Sequence, residues 1–278
     1  MANTTSAGAP QQDPASAATA IDGAEADWHR RVVDRSLRTA AERSVDRGNA
    51  LIAAAAAVLE HSDGADITVQ QVADEAGQSL RTLYQYFASK DDLLLALFEE
   101  AMRSYAQMIR LSISELDEPL ERLAGAMIAA GSMPTITRSA LDRGMARLRN
   151  KLSESNPELT GRAQQALTGL VRELVDDATE AGHLRANDPD ETTFMLLSLN
   201  ASFITSEMLG NDAGVARPDL TEVVTFCLLG LGARVDPAWV ADVTRRVQVP
   251  ATGDWFPGVR SAPRRRNGAK RGSGTGSS

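Results

Sequence analysis

Residues 67–94, ITVQQVADEAGQSLRTLYQYFASKDDLL, hold three helix starts in succession. Thr68 precedes Val69 and has Gln71 three residues on, the pattern of a capping box, so a helix opens over Val69–Ala76. Gly77 follows where the chain must turn into left-handed backbone, which glycine enters without a Cβ penalty. Ser79 caps a helix from Leu80 to about Phe87. Ser89, with Asp92 at its third position, caps another that runs long, with Leu94, Phe98, Ala101, Tyr105 and Met108 on one apolar face.

Upstream, LIAAAAAVL (51–59) is an Ala-rich helix, apolar almost all round, that lets neighbours approach closely; His61-Ser62-Asp63-Gly64 ends it. Three short helices within 51–87, with the tight turn Ala76-Gly77-Gln78-Ser79 before the last, have the order of a helix-turn-helix. The last helix of such a unit can lie in the major groove of DNA. Leu83 and Phe87, four apart, face the core and leave Arg81, Thr82, Gln85 and Tyr86 on outward or flanking faces. Arg can meet guanine O6 and N7 with two hydrogen bonds, and Gln can do the same at adenine N6 and N7. Thr and Tyr hydroxyls, with Lys90, suit phosphates. A solvent-exposed helix in an ordinary α-domain is the competing reading of the same periodicity.

The stretch from Ile67 to Leu94 closely resembles the DNA-binding signature of the TetR family of regulators. It shows the Thr-Val opening, Val72-Ala73, Ala76-Gly77-Gln78-Ser79, Leu83-Tyr84-Gln85-Tyr86-Phe87 and then Ser89-Lys90 with Leu93. The resemblance implies an all-α fold: an N-terminal three-helix DNA-binding domain followed by a helical ligand-binding and dimerisation domain. It also implies a homodimer on double-stranded operator DNA, usually a repressor released by a small ligand. Carried over by position, Thr68, Thr82, Tyr84, Tyr86 and Lys90 look like backbone-contact residues, while Leu80, Arg81 and Gln85 stand where bases are read; Ser79 completes the expected DNA-binding set. Two departures stand out. Position 81 often holds a small residue in the family, so Arg81 is either a specificity determinant or a solvated side chain. The extension before Gly48 is also longer than usual, and its Arg31/Arg35/Arg38 stripe is either an arm that touches DNA or a solvated helix face.

The remaining chain divides by composition. Residues 1–27 have almost no large apolar side chain and are expected to be disordered. Residues 28–47 read as an amphipathic helical extension, with a break at Gly48, and 48–92 as the DNA-binding domain. Helical blocks near 118–130, 135–153, 157–181, 189–210 and 217–233 fill an effector-binding and dimerisation domain over 93–235. Asp188-Pro189-Asp190-Glu191 marks one start and Gly182 one stop. Residues 236–258 form a C-terminal extension with a short helix, and 259–278 a basic disordered tail.

By the resemblance, 189–210 and 217–233 pair across the dimer. Phe194, Leu197, Ala201 and Ile204 give the first an apolar stripe; Val223, Val224, Phe226, Leu228 and Leu231 make the second apolar on several sides. Burial within one protomer is the alternative. Candidate effector contacts are Tyr105, Met108, Met127, Met133, Met145, Met195, Asn200 and Phe203, a Met-rich set suited to a lipophilic ligand, although each Met also serves as ordinary core filling. Arg138, Arg143, Arg147 and Arg149 could meet an anion or form a solvated face.

Bulk properties narrow the classes. A hydrophobic content of 43% supports a core, and only 4% aromatics suits packed helices better than a sheet sandwich. One cysteine, Cys227, excludes an internal disulfide and a multi-Cys metal site. His29, His61 and His183 show no metal-ligand spacing, and no Gly-rich phosphate loop is present, so neither an enzyme, a cofactor nor a metal is expected. Without a secretory signal or a span-length apolar run, a soluble cytoplasmic protein is expected, with no membrane partner. The net charge of −8 does not exclude DNA, because a locally basic face suffices; six of the 29 Lys and Arg lie in 259–278, which holds no acid. A ligand-independent or partner-steered architectural DNA binder is the alternative function.

Overall fold

The computed structural model describes residues 14–62, 66–137, 140–185, 188–209, 216, 218–249 and 256; side chains are described from Trp28 onward, except at 133–137 and 208–209. The expected basic tail, the Met133 side chain and Arg138 lie outside the described residues. All described elements are helices, and none is long and apolar enough to cross a membrane.

The first helix, α1, runs Pro14–His61. It begins inside the stretch that composition reads as disordered and passes through Gly48 without a break. Pro14 stands at the first helical position, where its missing N–H costs nothing, and an Ala-rich run follows. One internal glycine costs about 1 kcal/mol relative to alanine, too little to stop a helix between good helix formers. The described residues up to Asn49 form one unit, in which Trp28, Val32, Val33, Leu37 and Val45 are all exposed.

The described residues from Ala50 onward form the second unit. Here the end of α1 is followed by α2 (Val69–Glu75), α3 (Leu80–Tyr86) and the long α4 (Lys90–Ser112). Then come α5 (Pro119–Thr137), α6 (Ala140–Ser155), α7 (Pro157–Ala163), α8 (Gln165–Glu180), α9 (Pro189–Leu209), α10 (Leu220–Gly230) and α11 (Pro237–Arg246). The block expected over 157–181 is thus two helices. Thr160 Oγ1 donates to the Asn156 carbonyl, and the Gln164 N–H is shared among the carbonyls of Thr160, Gly161 and Arg162. Side-chain back-bonding and a nearby glycine loosen the helix at that point.

Two apolar cores organise this unit. One joins Leu51–Leu59 of α1, Val72, Leu83 and Phe87 to the first half of α4 (Leu93, Leu94, Leu97, Phe98) and to Leu141, Met145, Leu148 and Leu152 of α6. The other joins the second half of α4 (Ala106, Met108, Ile109) to α5, α8, α9, α10 and α11. Because α4 runs through both, the helices that carry the turn motif and the helices behind them share a rigid strut.

Candidate functional site

Local chemistry builds the turn unit as its sequence dictates. Thr68 Oγ1 accepts from the Gln71 N–H at 3.2 Å, and the Thr68 N–H donates to Gln71 Oε1 at 2.8 Å, closing the capping box. Gly77 has φ +62°, and the Gln78 N–H returns to the Ala73 carbonyl at 2.8 Å, ending α2. Ser79 Oγ accepts from the Thr82 N–H at 3.1 Å and starts α3. Ser89 Oγ does the same for Asp92 at the start of α4, while the Asp92 carboxylate accepts from the Ala88 N–H.

Leu83 is fully buried and Phe87 nearly so, and this fixes the roll of α3. Arg81, Tyr84 and Gln85, at i, i+3 and i+4, share its exposed face, with Tyr84 52% exposed. Thr82 and Leu80 are half-buried at its flanks, and Tyr86 packs partly on the core. Thr68 and Ser79 are exposed at the two caps. The candidate DNA-binding residues therefore fall into two sets: a protruding face of Arg81, Tyr84 and Gln85, and a surround of capping hydroxyls. Lys90, at the first position of α4, holds Asp66 at 2.9 Å, and Lys151 lies 3.9 Å from the same carboxylate. The hydrogen bond from Lys90 and the two positive charges hold the Asp66 carboxyl below its usual range.

A second candidate site lies where the two cores meet. A cavity of about 590 Å³ is lined by Phe98, Met102 and Tyr105 of α4, by Asp142, Met145, Ala146 and Arg149 of α6, by the α7–α8 region and by one side of α9. The Tyr105 hydroxyl donates to the Ala130 carbonyl at 2.9 Å. Burial, reinforced by the Asp142 charge, pushes its pKa well above the ordinary tyrosine range.

Of the effector candidates, Tyr105 and Met145 line this cavity. Met108 and Met127 are packed in the α5-centred core. Asn200 is buried and donates from Nδ2 to the Met127 carbonyl at 3.2 Å, while Met195 is half exposed. Phe203 lines a separate groove between α9 and α10, with Leu199, Val223 and Phe226. The stripe Phe194, Leu197, Ala201 and Ile204, read from sequence as dimer surface or burial, borders the cavity, and so does Arg149. Cavity residues without a distinguishing sequence signal are Met102, Asp142, Gln164 and Thr193. They come from helices whose relative roll depends on long-range packing.

A further apolar surface is left uncovered. On α9, Phe194 is 71% exposed, and Met195 and Leu199 about half; on α10, Phe226 is 71% exposed and Leu229 about half. Cys227, between those two, is buried, and burial raises its thiol pKa. Among the described residues no group of three or more His, Cys, Asp or Glu is placed to hold a metal.

Known proteins match this arrangement in two ways. Residues 51–97 match the family described as bacterial regulatory proteins, tetR family. The transcriptional regulator HbdR of Aromatoleum sp. (strain CIB) is 33% identical over 95 residues, covering 34% of this chain and 42% of the relative. The regulator BetI of Brucella anthropi is 37% identical over 78 residues, covering 28% and 40%. The chain thus spans well under half the length of these relatives. Among solved structures, RolR in complex with resorcinol superposes with a TM-score of 0.56 at 18% identity, over 76% of this chain and 98% of that one. FadR from Bacillus subtilis in complex with stearoyl-CoA gives 0.51 at 21% identity, over 67% and 98%. At these identities the likeness is one of fold, and it extends the all-α architecture beyond the turn unit. Over residues 51–97, then, the chain is similar to the tetR family of bacterial regulatory proteins.

Proposed function

We propose that the protein is a homodimeric, sequence-specific DNA-binding regulator, acting in the cytoplasm as a repressor that a small lipophilic ligand releases from its operator. The observation that carries this reading is the exposed face of α3, where Arg81, Tyr84 and Gln85 protrude from a helix held by Leu83 beneath and Ser79 at its start. An Arg and a Gln one turn apart on such a helix are chemically suited to base edges, and the surrounding Thr68, Thr82, Tyr86 and Lys90 to phosphates. A two-fold dimer would present two such helices to half-sites of an inverted repeat.

Two observations support the dimer and the ligand. The exposed apolar side chains of α9 and α10 form the kind of surface that a second copy covers, and domains 93–235 and 48–92 then divide dimerisation and effector binding from DNA binding. The cavity at the meeting of the cores lies within the size range of small-molecule sites and is mostly apolar, which favours a ligand-responsive protein over an architectural binder packed shut. RolR and FadR, which share the fold, form complexes with resorcinol and stearoyl-CoA, in keeping with ligand control. Retention and sequencing of duplexes from a random pool tests the function: an enriched inverted repeat is the expected result, and salt-sensitive retention with no enriched motif contradicts it.

A further inference from the structure

We infer that the cavity between α4, α6, α8 and α9 takes a neutral, largely apolar small molecule bearing a hydroxyl or carbonyl group, and that Thr193 recognises that group. This rests on the ligand-release reading and adds to it the chemical class of the ligand.

The argument starts from a hydroxyl out of keeping with its surroundings. Thr160, Thr179, Thr225 and Thr244 each satisfy their hydroxyls by donating to the carbonyl four residues back, at 2.7–2.8 Å. Thr193 does not. It is 2% exposed, it lines the cavity, and its Oγ1 is one of two buried side-chain polar atoms with no hydrogen-bond partner among the described residues. The other, Gln78 Oε1, lies in the turn before α3. A buried hydroxyl left unpaired costs stability, whereas valine would fill the same volume without that cost. A ligand atom that can donate to or accept from Oγ1 gives the threonine its hydrogen bond.

The rest of the lining decides the class. Phe98, Met102, Met145, Leu167, Leu197 and Ile204 supply an apolar wall. Among the described lining residues, one cation, Arg149, stands with two carboxylates, Asp142 and Asp190. Asp190 is already held by Arg172 from α8, and Asp142 is 6% exposed. Phosphates and other polyanions are recognised by clusters of Arg and Lys, and this lining offers the opposite balance. A neutral body with one hydrogen-bonding group suits it.

Three matched probes test the class: 4-phenylphenol, biphenyl and biphenyl-4-carboxylate, titrated into the full chain by calorimetry with wild type, Thr193→Val and Thr193→Ser. The wild type is expected to bind 4-phenylphenol about tenfold tighter than biphenyl, the worth of one buried hydrogen bond, and tighter than the carboxylate. Thr193→Val brings 4-phenylphenol down to the affinity of biphenyl and raises the unfolding midpoint of the free protein; Thr193→Ser restores the preference. Tightest binding of the carboxylate, a preference unchanged in Thr193→Val, or no binding of any probe overturns the inference. Adding each probe to a selected protein–DNA complex separates the two levels. Release by the carboxylate alone leaves ligand control standing and removes the class. Binding of 4-phenylphenol with the Thr193-dependent preference, but without release, leaves the class standing and removes ligand control.

Discussion

Gly144 of α6 lies so close to Leu59 of α1 that a Cβ on it would stand 2.7 Å from Leu59 Cγ. The contact is strengthened one turn away, where the Leu141 N–H donates to the Glu60 carboxylate. Since α6 also carries Asp142, Met145, Ala146 and Arg149 into the cavity, one helix touches both the cavity and the base of the turn unit. A ligand that shifts α6 therefore bears directly on α1, without a relay through the distant α5-centred core.

Gly144→Ala tests that contact. Alanine gains about 1 kcal/mol of helix propensity, but forcing a methyl into the branch of Leu59 costs about 1–3 kcal/mol of overpacking. The net expectation is a lowered unfolding midpoint. Gly169→Ala, in α8 with nothing within 4 Å of the added carbon, is expected to raise it. Thermal unfolding of both variants checks the opposite signs; a rise for both would remove the close contact from the account.

Arg81→Ala is expected to cost about 1–3 kcal/mol on the selected duplex and to relax preference at one base pair. Anisotropy titrations against duplexes varied at each position measure this. An equal loss on every sequence would assign Arg81 to the phosphates instead.

Lys90→Ala is expected to weaken binding evenly across sequences and to lower the slope of log K against log salt by about one. In the free protein Lys90 is held by Asp66, so Asp66→Asn removes a competitor for the same ammonium and is expected to tighten binding a few-fold, as far as an exposed pair allows. The pH dependence has a definite sign. The Asp66 carboxyl is lowered in the folded state, so its small contribution is present above the ordinary carboxylate range and is lost as pH falls through the lowered value. Chemical denaturation of wild type and Asp66→Asn at neutral pH and near pH 3 should show their difference shrinking in acid.

Phe226→Glu places a charge at a side chain that is 71% exposed in one protomer, so helix content is expected to stay unchanged while the dimer dissociates. Sedimentation of the variant should give a monomer with weakened operator binding. A variant that remains a dimer would move the interface away from α10.

The parts legible in sequence were those set by local chemistry. The capping box at Thr68, the left-handed Gly77, the helix stop at Gly182 and the i, i+4 pair Leu83 and Phe87 specify their elements within a few residues, and the structure forms each of them. Where long-range packing decided, the reading was coarser. Leu197 and Ile204 look alike as apolar residues on one stripe, but only the placement of α4 and α6 puts them beside a cavity. Thr193 carries no sequence signal, because what distinguishes it is a hydrogen bond that the buried Thr160 and Thr225 make and it does not.

The central claim, that α3 reads DNA sequence, is tested most directly by measuring affinity for the selected inverted repeat and for a scrambled duplex of equal length and composition, at one near-physiological salt concentration. The account predicts that the repeat binds at least about 10³-fold tighter and that Arg81→Ala erodes much of that ratio. Equal affinities for the two duplexes would contradict it.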